Sequence, residues 1–225
     1  DRFKDNSLPS FQAIFSTERL KNMLSINLDI FFRSIMLQAI FVSFLLYGGK
    51  FGDVKLAANQ ILLQFLHIAA HGLDGFAFAA ETLVGQAFGR KDRTILRKSV
   101  KVTSKLAFLL CCIMAIIFFF IGSSLIDVMT TAEDVRSEAK GYIIFIVLVP
   151  ILGASAYMLD GIFVGAMKTK DMRNMMFISL IFYFLALILL VPHFENIGLW
   201  LALFISFVVR GVTLALRYPS LEKSI

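Results

Sequence analysis

Residues 56–93 read LAANQILLQFLHIAAHGLDGFAFAAETLVGQAFGRKDR. The segment opens with a mostly apolar run, 56–80, and closes with the basic residues of GRKDR. A helix of about 20 apolar residues spans a bilayer, and backbone groups in lipid must pair internally. The stretch therefore predicts a transmembrane helix that is followed by a charged loop.

The same criterion finds five further apolar runs in the chain, which are 24–47, 99–122, 140–163, 174–192 and 197–216. The segments between the runs are polar or contain turn residues. The runs are too long and too continuous for barrel strands, which alternate over about ten residues. The sequence therefore predicts an all-α membrane protein with six transmembrane helices.

The composition agrees with a membrane protein. Hydrophobic residues make up 58% of the 225 residues and charged residues 17%, against about 45–50% and about 25% in soluble domains. The two cysteines, Cys111 and Cys112, are adjacent, which excludes a disulfide framework and offers no metal-ligand spacing. The sequence also lacks a phosphate loop, a nucleotide fingerprint and a nucleophile triad. We therefore predict no catalytic residue, no metal and no cofactor, and expect that the protein is not an enzyme.

The net charge of +6 reflects topology. An even number of spans places both termini on one side of the membrane. If that side is cytoplasmic, the inner segments hold 14 of the 22 Lys and Arg residues and the outer segments hold 4. This is a clear positive-inside bias. The distribution predicts a multi-pass protein of the inner, or plasma, membrane with both ends cytoplasmic, and it removes the main argument for nucleic-acid binding.

The flanking segments complete the expected organisation. Residues 1–23 are predicted to be cytoplasmic, either as an amphipathic helix that presents Leu8, Phe11, Ile14 and Phe15, or as an unstructured lead-in. Residues 24–216 form the transmembrane part, and 217–225 form a cytoplasmic tail. The first residues, DRFKDNSLPS, lack both a Met and the apolar core of a signal peptide, so we expect a chain that begins inside a longer protein.

Polar residues follow the second span with steps of 4, 3, 4, 3 and 7, which places them on one helix face. They are Gln60, Gln64, His67, His71, Asp74 and Glu81. Polar side chains inside a membrane are costly and usually face a cavity or a partner. We interpret this polar stripe as the wall of a water-lined substrate pathway; the alternative is hydrogen bonding between packed helices. The two histidines lack the glutamate of a zinc-protease motif, so no metal role is expected.

The fourth span carries Pro150, Gly153, Tyr157 and Asp160 on one face. Asp160 precedes Lys168 by eight residues, roughly 12 Å along a helix. Since half of the hydrocarbon core is about 15 Å thick, Asp160 is expected near the middle of the membrane. A carboxylate there could carry a proton or bind a cation, and Tyr157 is its nearest candidate partner. The alternative is a structural hydrogen bond.

The first span contains Asp29 and Arg33 at i and i+4, a spacing that predicts an ion pair on one helix face. Asp29 is also a candidate for ion coupling. In the last span, Arg210 is expected to extend to the inner surface or to pair with an acid.

Several separated motifs resemble the multidrug and toxic compound extrusion (MATE) transporters. LAANQ at 56–60 and VGQAFG at 84–89 are similar to the general pattern of the eighth helix in that family. NLDIFFR (27–33), LDGFAFAAE (73–81) and LDGIFVGAMKTKDMRN (159–174) resemble the DinF subfamily in particular. The resemblance covers nearly the whole chain, and the motifs occur in the expected order.

The resemblance implies one lobe of a twelve-helix transporter. MATE proteins have two six-helix lobes and export mostly cationic, amphipathic compounds in exchange for H⁺ or Na⁺. This chain resembles the second lobe and part of the linker before it, so its expected partners are the N-terminal lobe, the bilayer and small cationic or amphipathic substrates. Asp160 falls where the family often places an acid for cation coupling, and Asp29 is the carboxylate nearest to the acid of the seventh helix.

Two other functions stay open on the sequence. A lipid-linked oligosaccharide flippase of the same superfamily would need a strongly basic cavity for a pyrophosphate, whereas the candidate residues here are mostly acids, Gln and His. A membrane scaffold without transport would use the same polar residues only to hold helices together.

Overall fold

The computed structural model describes residues 17–225, and this part of the chain is helical without any strand. The helices are α1 (Thr17–Gly48), α2 (Asp53–Arg90), α3 (Arg93–Met129), α4 (Glu133–Gly141), α5 (Ile143–Gly165) and α6 (Thr169–Lys223). A 3-10 turn, Gly49–Phe51, joins α1 to α2. All of these helices except the short α4 are long and apolar enough to cross a membrane, which confirms the predicted all-α membrane fold.

Helix α6 contains two of the predicted spans. The chain reverses at Glu195, whose φ of 47° and ψ of −123° are not helical. The two arms, 169–194 and 196–223, then pack against each other in opposite directions. Ser179 Oγ donates a 2.7 Å hydrogen bond to the Ser206 carbonyl, and a nitrogen of Arg210 lies 3.8 Å from the sulfur of Met176. The connection predicted between the runs 174–192 and 197–216 is therefore a sharp break at one residue.

The predicted loop after α2 is equally short. Helix α2 continues to Arg90, Lys91 adopts a left-handed conformation with φ 53°, and α3 begins at Arg93. Asp92 caps α3, because its Oδ1 accepts hydrogen bonds from the amides of Thr94 (2.8 Å) and Ile95 (3.0 Å). The helices therefore extend past the apolar runs into the charged segments between them.

The core has two apolar parts that follow one another across the lobe. One surrounds Trp200, Phe44 and Phe65, and the other surrounds Leu73 and Phe163. Tyr157 packs against both parts, so it marks the level at which they meet.

Helices α2 and α5 cross with direct backbone contact. A Cβ atom at Gly161 would lie 2.5 Å from the carbonyl oxygen of Ala77, and one at Gly165 would clash with the carbonyl of Glu81. Only glycine permits such a close approach, as is common where membrane helices cross. The crossing brings Asp160, which precedes Gly161, against the second half of α2.

The amphipathic helix proposed around Leu8, Phe11, Ile14 and Phe15 lies outside the described residues. At the other end of the chain, 217–223 continue α6 as a helix, and Leu221 is buried against the start of α3 and the end of α5.

Candidate functional site

A cavity of about 110 Å³ lies between α1, α2, α5 and the first arm of α6. Its polar lining consists of Arg33 from α1, Asp74 and Glu81 from α2, and Tyr157 and Asp160 from α5. Four of these five residues are among those that the sequence predicted for ion coupling or for the substrate path. They meet because the glycine contacts draw α5 onto α2.

Asp160 lies between two arginines beside this cavity. Arg33 donates a hydrogen bond from Nη2 to Oδ2 of Asp160, and Nη2 of Arg210 lies 3.7 Å from the same oxygen. Asp160 is 6% exposed and Arg210 is 2% exposed. Charges buried to this degree are tolerated when they are paired. The arrangement is a buried ion cluster, Arg33–Asp160–Arg210, in which one carboxylate serves two guanidinium groups.

The ion cluster leaves several polar atoms without partners. Oδ1 of Asp160, Nε of Arg33, and Nε and Nη2 of Arg210 are buried and have no hydrogen-bond partner among the described residues. The guanidinium carbon of Arg210 lies 5.3 Å from the centre of the Tyr157 ring, a cation–π distance. A buried polar group without a hydrogen-bond partner destabilises a protein by about 1–3 kcal/mol. The unpaired atoms of the ion cluster are therefore able to bind a further polar group.

The predicted ion pair between Asp29 and Arg33 is wrong. Asp29 instead accepts hydrogen bonds from Nη1 of Arg173 (2.6 Å) and Oγ1 of Thr169 (3.0 Å) at the start of α6. Arg33 extends to Asp160 on α5. Both side chains enter an interface between helices, and each pairs with the opposite charge that the neighbouring helix presents there. Asp29 does not line the cavity, so the structure separates it from Tyr157 and Asp160.

The polar stripe of α2 lies on the outward face of the lobe and is divided among different surroundings. Gln60 and Gln64 are exposed in an open groove near 129–135, and His67 packs edge-on against Phe41. His71 is exposed, and its Nδ1 lies 2.6 Å from the carbonyl oxygen of its neighbour His67. Further along, Asp74 and Glu81 are half-buried in the cavity wall. The opposite face of α2 is buried in the core through Leu62, Phe65, Leu66 and Ala69.

Arg210 is the residue of this site that sequence reasoning undervalued. The sequence predicts that Arg210, inside the last span, either extends to the inner surface or pairs with an acid. The structure shows the pairing, since Arg210 is turned inward onto Asp160. Its distance of seven residues from the basic end at Arg217 was the available signal, because it places Arg210 two helical turns from the charged end.

Within residues 17–225, no group of three or more His, Cys, Asp or Glu side chains is positioned to hold a metal ion.

Residues 30–190 match the model of the MatE family. The chain belongs to the MatE family. It is 32% identical over 195 residues to the DNA damage-inducible protein F of Escherichia coli K12, an alignment that covers 87% of this chain and 42% of that protein. It is also 22% identical over 167 residues to a probable multidrug resistance protein NorM of Photorhabdus laumondii, covering 74% of this chain and 36% of the relative.

The fold is shared with a solved MATE transporter. The bent form of the Vibrio cholerae MATE transporter VcmN superposes with a TM-score of 0.85 at 15% identity, over 96% of this chain and 49% of the other. The chain therefore spans less than half the length of the relatives that it matches. Family membership and the 32% identity to DNA damage-inducible protein F confirm the MATE and DinF-like resemblance. The superposition shows that the chain has the fold of one lobe of an integral membrane transporter.

Proposed function

We propose that this MATE lobe is the C-terminal half of a secondary antiporter, which exports cationic or amphipathic compounds in exchange for H⁺ or Na⁺. The observation that carries the proposal is the cavity at the α2–α5 crossing. Asp74 and Glu81 line it without an ion pair among the described residues, beside the buried Arg33–Asp160–Arg210 cluster. Carboxylates at membrane depth are typical of ion and substrate pathways.

The substrate pathway runs along the outward face of α2, from Gln60 and Gln64 past the histidines to Asp74 and Glu81. This face is open in the lobe, whereas the other face of α2 is buried. The N-terminal six-helix lobe supplies the facing wall. The half-length alignments support this partner, as does the usual position of transporter sites between structural repeats.

The lobe lies in the inner, or plasma, membrane with both ends cytoplasmic. The basic residues of 90–98 and of 168–173 support this orientation, because both segments are then inside. In the same scheme 1–23 link the two lobes, 24–216 form the transmembrane part and 217–225 form the cytoplasmic tail. The sequence patterns propose Asp160, Tyr157 and Asp29 for ion coupling, and of these Asp160 and Tyr157 line the cavity. The proposed site needs no cofactor.

The charge of the cavity favours cationic cargo over a lipid-linked pyrophosphate. Arg33 and Arg210 contribute two positive charges, and Asp160, Asp74 and Glu81 contribute three negative ones. A flippase for a lipid-linked pyrophosphate would need more positive than negative charges around the cavity. A scaffold would not need an open polar face.

The test is transport by the complete two-lobe protein in proteoliposomes. We expect that an imposed pH gradient or an imposed Na⁺ gradient drives accumulation of ethidium, a planar aromatic cation. A folded protein that moves a fluorescent pyrophosphate lipid but no ethidium would identify a flippase. Movement of neither probe under either gradient would favour the scaffold.

A further inference from the structure

We infer that Asp74 is the carboxylate of this lobe that exchanges a positive charge during transport, whereas Asp160 is a fixed counter-ion of Arg33 and Arg210. The exchanged charge is a monovalent cation, either a proton or Na⁺. The inference rests on the proposed function and assigns one residue within it.

The two acids that sequence patterns singled out for coupling are both held by arginines. Asp29 is 3% exposed and lies 2.6 Å from Nη1 of Arg173. Asp160 is bonded to Arg33 and lies close to Arg210. A cation bound at Asp160 would compete with Arg33 and would leave the buried Arg210 without its counter-charge. Asp29 does not line the cavity and is occupied by the half-exposed Arg173.

Asp74 has a different environment. It is half-buried in the cavity wall and makes no hydrogen bond or ion pair within residues 17–225. The charged or titratable groups around it come from three helices, while α6 contributes the uncharged Met172. They are Arg33 from α1, Tyr157 and Asp160 from α5, and His71 and Glu81 from α2 itself. Asp74 is thus a free acceptor that cavity contents can reach.

The ion cluster supports a reversible exchange at this position. Asp160 lines the same cavity and is held in place by Arg33, so a cation at Asp74 shares the cavity with a second, fixed negative charge. The cluster itself carries two positive charges and one negative charge. This excess weakens cation binding at Asp74, and binding that is too tight would prevent release on the other side of the membrane.

Depth distinguishes Asp74 from Glu81 on the same wall. Asp74 and Glu81 are seven residues apart, roughly 10 Å along the helix. Gly165, the last residue of α5, packs against Glu81, and Gly161 packs against Ala77. Glu81 is therefore level with the end of α5, whereas Asp74 lies deeper, beyond the level of Gly161. An exchange that is coupled to transport requires the position that bulk water reaches least.

The experiment uses the complete two-lobe transporter in proteoliposomes and compares two processes. One is ethidium accumulation driven by a pH or Na⁺ gradient, and the other is exchange of ethidium at equal concentrations without any gradient. We expect that Asp74→Asn lowers gradient-driven accumulation at least about ten times more than it lowers ethidium exchange, because exchange does not require the coupling ion. Asp74→Glu should recover part of the gradient-driven transport with a shifted pH profile. Asp53→Asn, at the exposed start of the same helix, is the matched control.

Asp160 is tested with its charge balance preserved. The double variant Asp160→Asn/Arg210→Met keeps the net charge of the ion cluster, and we expect gradient-driven transport within about threefold of the wild type. Normal coupling in Asp74→Asn would overturn the inference. So would a folded double variant that exchanges ethidium but no longer responds to either gradient. The gradient that drives the wild type decides between a proton and Na⁺.

A spectroscopic readout separates this inference from the proposed function. We expect an infrared carboxyl band that changes with pH or with Na⁺ in the wild type and in the double variant, and that is absent from Asp74→Asn. If the wild type moves no ethidium, the proposed function fails while the infrared band still tests Asp74. A band that persists in Asp74→Asn would overturn the assignment.

Discussion

The Arg33–Asp160–Arg210 cluster determines what a single substitution does in this lobe. Arg210 is almost fully buried, and two of its nitrogens lack partners among the described residues. Replacing one member of a buried ion cluster has opposite effects depending on which charge is removed. Loss of the carboxylate leaves two guanidinium groups uncompensated, whereas loss of Arg210 leaves Asp160 paired with Arg33.

Asp160→Asn should therefore destabilise the lobe by about 3–5 kcal/mol, the usual consequence of breaking a buried ion pair. Arg210→Met, which has a similar volume, should be close to neutral or slightly stabilising. The midpoint of thermal unfolding in detergent measures both, with Asp53→Asn as the exposed control. Equal midpoints for Asp160→Asn and the wild type would show that Asp160 does not balance the arginines.

At the scale of helices, the crossing of α2 and α5 fixes the shape of the cavity. Gly161 contacts the backbone of Ala77, so a side chain there must push the two helices apart. Gly75 is two residues, about half a turn, from this contact on α2 and has no atom near its Cβ position. The two glycines are similar in sequence context but differ in packing.

Gly161→Ala should cost about 1–3 kcal/mol through overpacking and should also impair transport, because it widens the cavity. Gly75→Ala should cost nothing and gain up to about 1 kcal/mol, since Ala is the better helix former. Unfolding midpoints and ethidium transport by the complete protein measure the contrast. Equal losses in the two variants would mean that the close crossing is not required.

The helices also show what the sequence could and could not predict. Apolar length gave all six spans, because lipid requires internally paired backbone over a fixed thickness. The polar face of α2 was predictable from helical periodicity, because it depends only on the spacing of residues within that helix. The partners of Asp29 and Arg33 were not predictable, because spacing within α1 reveals which side chains share a face but not which charge the neighbouring helix brings to it. For the same reason the sequence left two outcomes open for Arg210, extension to the surface or pairing with an acid, and the structure shows the pairing.

At the scale of the whole molecule, the orientation in the membrane remains a prediction with a direct test. Thr94 and Thr131 are both exposed; Thr94 lies at the start of α3 and Thr131 lies two residues past its end. With the native cysteines replaced, Thr131→Cys should react with an impermeant thiol reagent in intact cells, and Thr94→Cys only after permeabilisation. The positive-inside distribution is the reason. The reverse pattern would invert the topology and contradict export along the proposed path.

The final prediction concerns the outward polar face of α2, where we propose that the two lobes meet. Gln64 and His71 are exposed on this face, and Leu62 and Phe65 are buried in the core of the lobe. In the complete transporter without native cysteines, Gln64→Cys and His71→Cys should react with a small hydrophilic thiol reagent, and ethidium should slow both reactions. Leu62→Cys and Phe65→Cys should react poorly, since close-packed side chains shield them from water. If neither face reacts in any transport state, the stripe is sealed between helices and the cargo must cross elsewhere.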